Sequence, residues 1–305
     1  MATTTTTTTS TFLSNSLPEE RGVNSVSQYD GLTTTDPTAS NVTQLGSQVQ
    51  LQSIPSPPVF ADKEKEREYL KGRLALAFRI FAKNGFDEGL AGHITLRDPI
   101  LTDHFWVNPL GRAFCLMRRS DLILVNSRGE VVDGGPNRLL NRAAYMIHHA
   151  IHVARPDVNC AAHSHSIYGK AFCSLGREVS MLSQDSCAFY KDVGMYKQFN
   201  GAVLAKEEGE HIAVALGPKK ACLLQNHGLL SCGQTVEAAT YWFYALDRAC
   251  HVQLMAEAVP GGPKPIDDED AEFTYKSTGT PGIGWFQAQP MFEVMALESG
   301  EHYLQ

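Results

Sequence analysis

Hydrophobic side chains recur at helical spacing in several long stretches of this sequence. The clearest stretch begins at Lys63 and reaches Asn84, where Gly85 supplies a C-terminal stop. A second stretch covers about residues 140–154 and ends before Arg155-Pro156, because the residue that precedes a proline disfavours helical backbone. Further helices are predicted over residues 166–175, 207–216, 235–258 and about 285–297.

Short apolar runs bounded by glycine, proline or polar residues lie between these helices and predict strands. The predicted strands are His93–Arg97, His104–Val107, Asp121–Val125, Glu130–Val132, Val158–His165, Cys187–Tyr190, Ala202–Leu204 and Ala221–Gln225. Helices that alternate with short strands favour an α/β or α+β domain around a mixed sheet. The acidic run at 267–270 predicts a solvated loop.

Composition divides the chain into three parts. Residues 1–58 are rich in Thr, Ser and Pro and have too few apolar residues to offset chain entropy, so we expect a disordered leader. Residues 59–260 carry the helix and strand patterns of a folded domain. Residues 261–305 include Trp285, Phe286 and Phe292, which predict an extension that packs on the domain or on a neighbouring subunit.

Charge and cysteine usage exclude several classes of protein. The net charge of −7 argues against nucleic acid as a partner, and no apolar run reaches the roughly 18 residues of a membrane span. The N-terminus lacks the basic region and apolar core of a secretory signal. The seven cysteines are scattered, which is typical of a reducing compartment. We therefore expect a cytoplasmic protein with a small-molecule partner.

Three histidines stand out as candidate metal ligands. His163 and His165 are two residues apart in a predicted strand, so their side chains point the same way. His227 follows a second apolar run, and Gly228 comes directly after it. Strand ends are common positions for sites in α/β proteins, and three imidazoles with open positions are a known way to hold a catalytic divalent ion.

Seven ordered motifs carry a family resemblance over about residues 65–258. They are Gly92-His-Ile-Thr-Leu-Arg97, Val107-Asn-Pro-Leu-Gly111, Ser120-Asp-Leu-Ile-Leu-Val125, Gly129-Glu-Val-Val132, Ala154-Arg-Pro-Asp-Val158, His163-Ser-His-Ser166 and Asn226-His-Gly-Leu229. Together they resemble the class II aldolase/adducin family. The resemblance implies a three-layer α/β/α fold with a central, mostly antiparallel (mixed) sheet. It also implies a homotetramer with sites near the subunit contacts.

The resemblance further implies that His163, His165 and His227 bind zinc or another divalent ion, with manganese, iron and cobalt as alternatives. In the family's aldolases the metal chelates the carbonyl and hydroxyl oxygens of the substrate and stabilises an enediolate as a carbon–carbon bond breaks. A nearby Glu moves the proton in those enzymes. The matching position here is Ala144.

The phosphate pocket of the aldolases is also altered. Its matching stretches contain His93 in one segment and Asn108 and Gly111 in another, which we take as candidate substrate-binding residues. Arg138 and Arg142 are further candidates, because a guanidinium binds carboxylate or phosphate. These changes argue against a sugar phosphate as the substrate.

Three residues are candidates for the missing acid or base. Asp185 lies nearest the position where the aldolases carry a tyrosine, and Tyr190 is close to it in sequence. Glu88 precedes the Gly92-His93 motif.

Three functions remain open from the sequence. The first is a metal-dependent lyase or isomerase on a small hydroxy-carbonyl substrate. The second is a non-catalytic, adducin-like assembly module of the cytoskeletal kind, which keeps the histidines for structure. The third is a non-heme iron oxygenase with three histidine ligands.

Overall fold

The computed structural model of this protein describes residues 55–199 and 206–305. Its helices are α1 (Lys63–Lys83), α2 (Arg142–Ala154), α3 (Ile167–Cys173), α4 (Lys206–Leu216), α5 (Val236–Glu257), α6 (Asp268–Thr278) and α7 (Pro281–Ser299). Its strands are β1 (His93–Arg97), β2 (Phe105–Val107), β3 (Ile123–Val125), β4 (Val131–Gly134), β5 (Cys160–Ser164), β6 (Val193–Tyr196), β7 (Ala221–Leu224) and β8 (Gly228–Gly233).

The strands form one mixed sheet in the order β4-β3-β2-β1-β5-β8-β7-β6. Every neighbouring pair is antiparallel except β6 and β7, which run parallel. The central strands β1, β5 and β8 bring distant parts of the chain into register: His93 pairs with His163, and Ser164 pairs with Leu229. The predicted, mostly antiparallel mixed sheet is therefore confirmed.

Alternation along the central strands sends side chains into two apolar layers. Ala162, Leu223 and Leu229 join a cluster with buried residues of α1, α5 and α7. On the other face, Ala161 and Leu230 join a cluster with buried residues of α2 and α4. Helices thus cover both faces of the sheet, which gives the three-layer α/β/α arrangement.

Side-chain caps fix where several helices begin. The Thr235 hydroxyl accepts a hydrogen bond from the backbone N–H of Ala238 at the start of α5. Asp267 caps α6 in the same way by accepting from the N–H of Asp270 at 2.9 Å. The prediction of a loop at 267–270 is therefore wrong, because the acidic residues form the cap and first turn of α6. Carboxylates at this end of a helix also interact favourably with the helix dipole.

One other prediction from the pattern also needs correction, and two observed strands were not predicted. The predicted strand Cys187–Tyr190 is a 3-10 turn over Ser186–Phe189, because the Ser186 hydroxyl accepts hydrogen bonds from the N–H groups of Leu182 and Ser183. Strands β6 and β8 had no predicted counterpart. The predicted strand Ala202–Leu204 and residues 1–54 of the predicted leader lie outside the described residues.

Helix α7 lies on the same side of the sheet as α5. Ala288 and Phe292 of α7 are fully buried in the larger apolar cluster. At the junction of α6 and α7, the Lys220 ammonium donates to the backbone oxygen of Gly279 at 2.7 Å. Among the described residues, no helix combines the length and apolar character needed to cross a bilayer.

Candidate metal centre

The three histidines of the sequence motifs converge where the central strands end. His163 lies on β5, His165 follows the last residue of that strand, and His227 occupies the turn between β7 and β8. The ligand nitrogens of the three rings all lie within 4.8 Å of one another. The ring centroids are 4.6 Å apart for His163 and His227 and 5.1 Å apart for His163 and His165. This spacing allows three nitrogens to approach a single ion.

The turn between β7 and β8 carries His227 back to the other two rings. Asn226 has a φ of 59°, a left-handed conformation that asparagine tolerates better than most residues. Gly228 pairs with Leu224 directly after the turn. A Cβ atom on Gly228 would lie 2.6 Å from the backbone oxygen of Ser164, so glycine is needed for β8 to run this close to β5.

Burial keeps the three imidazoles neutral and therefore able to act as ligands. It lowers the pKa of His163 far below its usual 6.5 and that of His227 to about 4. It also lowers the pKa of the half-buried His165, with the nearby charge of Glu88 acting in the opposite direction. Nδ1 of His163 lies 2.8 Å from the carbonyl oxygen of Leu229 and must donate to it, which leaves Nε2 as the free ligand atom.

A second group of buried polar side chains lies between β1 and α2. The Thr95 hydroxyl is 2.8 Å from Nδ1 of His148 and 2.8 Å from Nε2 of His152. Nδ1 of His152 is 3.1 Å from the carbonyl oxygen of Val158. These contacts form one continuous chain of hydrogen bonds.

His93 connects this chain to the three metal-ligand candidates. Its ring centroid lies 4.1 Å from that of His148 and 5.0 Å from that of His163. Nε2 of His93 and Nε2 of His148 are both buried and find no hydrogen-bond partner among the described residues. The sequence indicated His93 as a substrate-binding residue but did not indicate Thr95, His148 or His152.

Comparison with known proteins places the chain in a family. A family model described as Class II Aldolase and Adducin N-terminal domain matches residues 72–254. The chain belongs to the class II aldolase and adducin family. Its solved relatives include the structure described as L-fuculose 1-phosphate aldolase from Glaciozyma antarctica PI12. That structure has a TM-score of 0.76 and 51% identity, covering 81% of this chain and 96% of that one.

Two bacterial members of the family are similar over most of their length. The protein named 4-hydroxy-3-prenylphenylpyruvate oxygenase/4-hydroxy-3-prenylbenzoate synthase of Streptomyces roseochromogenus subsp. oscitans is 46% identical over 239 residues, 78% of this chain and 85% of that protein. Decarboxylase NovR of Streptomyces niveus is also 46% identical over 239 residues, 78% of this chain and 87% of that protein.

Two carboxylates lie near the triad in this protein, but position 144 carries none. Ala144 is buried in the first turn of α2. Exposed Glu88 forms an ion pair with Lys170 and lies close enough to His165 to influence its pKa. Glu208, in the first turn of α4, acts in the same way on His227. Sequence reasoning missed Glu208, for which the only signal was an acidic pair at a helix start.

The other predicted substrate-binding residues lie on the connections around β2 and α2. Asn108 follows β2, and its buried Oδ1 atom has no hydrogen-bond partner among the described residues. Gly111 has a φ of 85° in the same connection. Arg138 and Arg142 are exposed, and Arg142 begins α2. No described contact joins either guanidinium to the three histidines, so their role in binding an anion remains a prediction.

Asp185 and Tyr190 flank the 3-10 turn Ser186–Phe189. Asp185 is exposed, whereas Tyr190 is buried in a cluster that contains Cys187 and Ala271 of α6. The Lys191 ammonium lies 4.6 Å from the centre of the Tyr190 ring. Among the described contacts, neither residue touches a histidine of the triad, and their catalytic role remains a prediction.

Proposed function

We propose that this protein is a metal-dependent lyase or isomerase that acts on a small hydroxy-carbonyl substrate other than a sugar phosphate. The observation that carries the proposal is the set of three neutral imidazoles whose ligand nitrogens lie within 4.8 Å of one another. Zinc is the first candidate, and manganese, iron and cobalt also accept imidazole ligands. A divalent ion held by neutral ligands supplies Lewis acidity that stabilises negative charge developing on the substrate oxygens.

The chain's own residues set the limits of this chemistry. His163 is held in one orientation by its bond to Leu229, which fixes the direction of its free nitrogen. Alanine at position 144 excludes the glutamate on which the family's aldolases rely. We infer that Glu88 and Glu208 are the acid–base candidates, because both carboxylates lie near ligand histidines.

The names of similar proteins support carbon–carbon bond cleavage as the reaction class. One relative is named a decarboxylase and another a prenylbenzoate synthase. The similar solved structure is described as an L-fuculose 1-phosphate aldolase, which makes that compound the direct test of our exclusion of sugar phosphates. We infer a homotetramer with sites near subunit contacts, which light scattering of the purified protein would test.

A second candidate function is a non-heme iron oxygenase. One observation favours it: a relative that is 46% identical carries the word oxygenase in its name. Imidazole accepts iron as well as zinc, so the three histidines are compatible with this function too. The two candidates predict different requirements. A lyase works without oxygen and with zinc, whereas an oxygenase needs iron and consumes oxygen.

One set of measurements separates these functions. The full chain is stripped with a chelator, reloaded with zinc or with iron under anaerobic conditions, and mixed with hydroxy-carbonyl compounds, 2-oxo acids or L-fuculose 1-phosphate. We expect cleavage of a non-phosphorylated substrate without oxygen uptake. Oxygen uptake with iron alone would establish the second function, and failure of the chain to hold any divalent ion would favour the non-catalytic, adducin-like module. Turnover of L-fuculose 1-phosphate would contradict the substrate class proposed here.

A further inference from the structure

The hydrogen-bond chain beside the triad fixes the tautomer of each of its members. Nδ1 of His152 faces the Val158 carbonyl, an acceptor, and therefore carries a proton. Burial lowers the pKa of His152 to about 3, so the ring is neutral and its Nε2 has no proton. The Thr95 hydroxyl must then donate to Nε2 of His152.

The same reasoning passes from Thr95 to His148. Because the Thr95 hydroxyl donates its only proton to Nε2 of His152, its oxygen can only accept a hydrogen bond from Nδ1 of His148. His148 is fully buried, and burial holds its pKa well below 6.5. Its proton is therefore on Nδ1, and Nε2 presents a bare lone pair. This nitrogen has no partner among the described residues, although it is buried.

The position of His93 shows where this unused acceptor lies. His93 and Thr95 are two residues apart on β1, so both face α2 and the same layer. Within this layer the ring of His148 is next to that of His93, and His93 is paired in register with the triad residue His163. A buried polar atom without a partner costs roughly 1–3 kcal/mol, so two such atoms on neighbouring rings call for a partner that the described residues do not supply.

We propose that Nε2 of His148 and Nε2 of His93 form a subsite that binds a hydroxyl group of the substrate beside the triad. A hydroxyl donates one hydrogen bond and accepts others. It can therefore donate to the bare Nε2 of His148 and accept from Nε2 of His93 in the His93 tautomer that carries its proton there. Two neutral imidazoles offer no positive charge to a phosphate. This inference rests on the proposed function and narrows its substrate class. The substrate would carry an uncharged hydroxyl next to the carbonyl group that binds the metal. Thr95 and His152 are positioning residues.

Nuclear magnetic resonance of the full chain with isotope-labelled histidine tests the tautomer without metal or substrate. We expect His148 to show a protonated Nδ1 and an unprotonated Nε2. Thr95→Val should convert His148 into a mixture of tautomers, and Thr95→Ser, which keeps the hydroxyl, should restore the single form. A protonated Nε2 on His148 in the unsubstituted protein would overturn the proposal.

A ligand pair tests the subsite itself in the zinc-loaded protein. Hydroxyacetone carries the hydroxyl, and 2-butanone replaces it with a methyl group. We expect hydroxyacetone to shift the Nε2 signal of His148 and to bind at least about tenfold more tightly than 2-butanone, a preference that His148→Phe should abolish. The control His149→Gln changes the neighbouring half-buried histidine of α2 and should keep the preference.

The outcomes distinguish this proposal from the function it rests on. If the unsubstituted protein holds zinc but neither ligand shifts the Nε2 signal of its His148, the subsite is refuted. Equal binding of both ligands would refute it as well. Failure of the unsubstituted chain to bind zinc or another divalent ion would instead refute the proposed function.

Discussion

Acidification should destabilise this protein through its buried histidines, and His152 provides a measurable share of the effect. Burial lowers the pKa of its imidazole from 6.5 to about 3 in the folded protein. The unfolded chain therefore binds a proton at this residue over a range in which the folded protein does not. The sign follows from linkage: the stability contributed by neutral His152 is complete above about pH 6.5 and is lost as the pH falls from there toward about 3.

The size of the effect follows from the two pKa values. One pKa unit corresponds to about 1.4 kcal/mol, so protonation of the unfolded chain at His152 costs the folded state about 2 kcal/mol at about pH 5. Near pH 5, the contribution of His152 to the free energy of unfolding falls by about 1.3 kcal/mol for each pH unit of acidification. His152 is 2% exposed, so solvent does not weaken the effect.

Substitution of His152 by glutamine isolates this contribution. Urea unfolding of the metal-free protein is measured at about pH 7 and about pH 5, and the loss of unfolding free energy between them is compared. We expect the loss in His152→Gln to be about 2 kcal/mol smaller than in the unsubstituted protein. His302→Gln, on the exposed C-terminal turn, is the control and should follow the unsubstituted protein. Equal losses in His152→Gln and the unsubstituted protein would refute the reasoning.

Three further substitutions test the site and its support. Gly228→Ala places a Cβ atom 2.6 Å from the oxygen of Ser164, and it should weaken zinc affinity at least about tenfold in competition with a chelating dye. Lys220→Met removes the ammonium that lies 3.0 Å from the Asp192 carboxylate, and urea unfolding should show a loss of about 3 kcal/mol; an unchanged midpoint would contradict this. Ala144→Glu should not cleave L-fuculose 1-phosphate in a coupled assay, because the phosphate pocket is altered too; robust turnover would contradict this expectation.

The parts of the fold that depend on local signals could be predicted from the sequence. Helix α1 begins at Lys63 as its apolar spacing predicts, and α5 begins directly after its cap, Thr235. Strand β1 has the predicted bounds. The triad could be proposed because two of its members share one motif and the third precedes a glycine turn.

Other features depend on contacts that local patterns do not contain. The acidic start of α6 has the local pattern of a solvated loop. The helix forms there with Ala271 packed against Cys187, which comes from a turn distant in sequence. The spacing of His148 and His152 places both on one face of α2, but their role needs Thr95 from β1 opposite that face. The register between β1 and β5 supplies this arrangement, and hydrophobic periodicity does not reveal it.

Metal content provides the most direct test of the central claim that three imidazoles form one metal site. The full chain, His163→Ala and His227→Ala are purified in parallel, checked for folding by circular dichroism and analysed for bound metal after dialysis against zinc. We predict about one zinc per unsubstituted chain and almost none in either variant, because two imidazoles rarely hold the ion tightly. Zinc near the unsubstituted level in either folded variant would contradict the assignment of the triad.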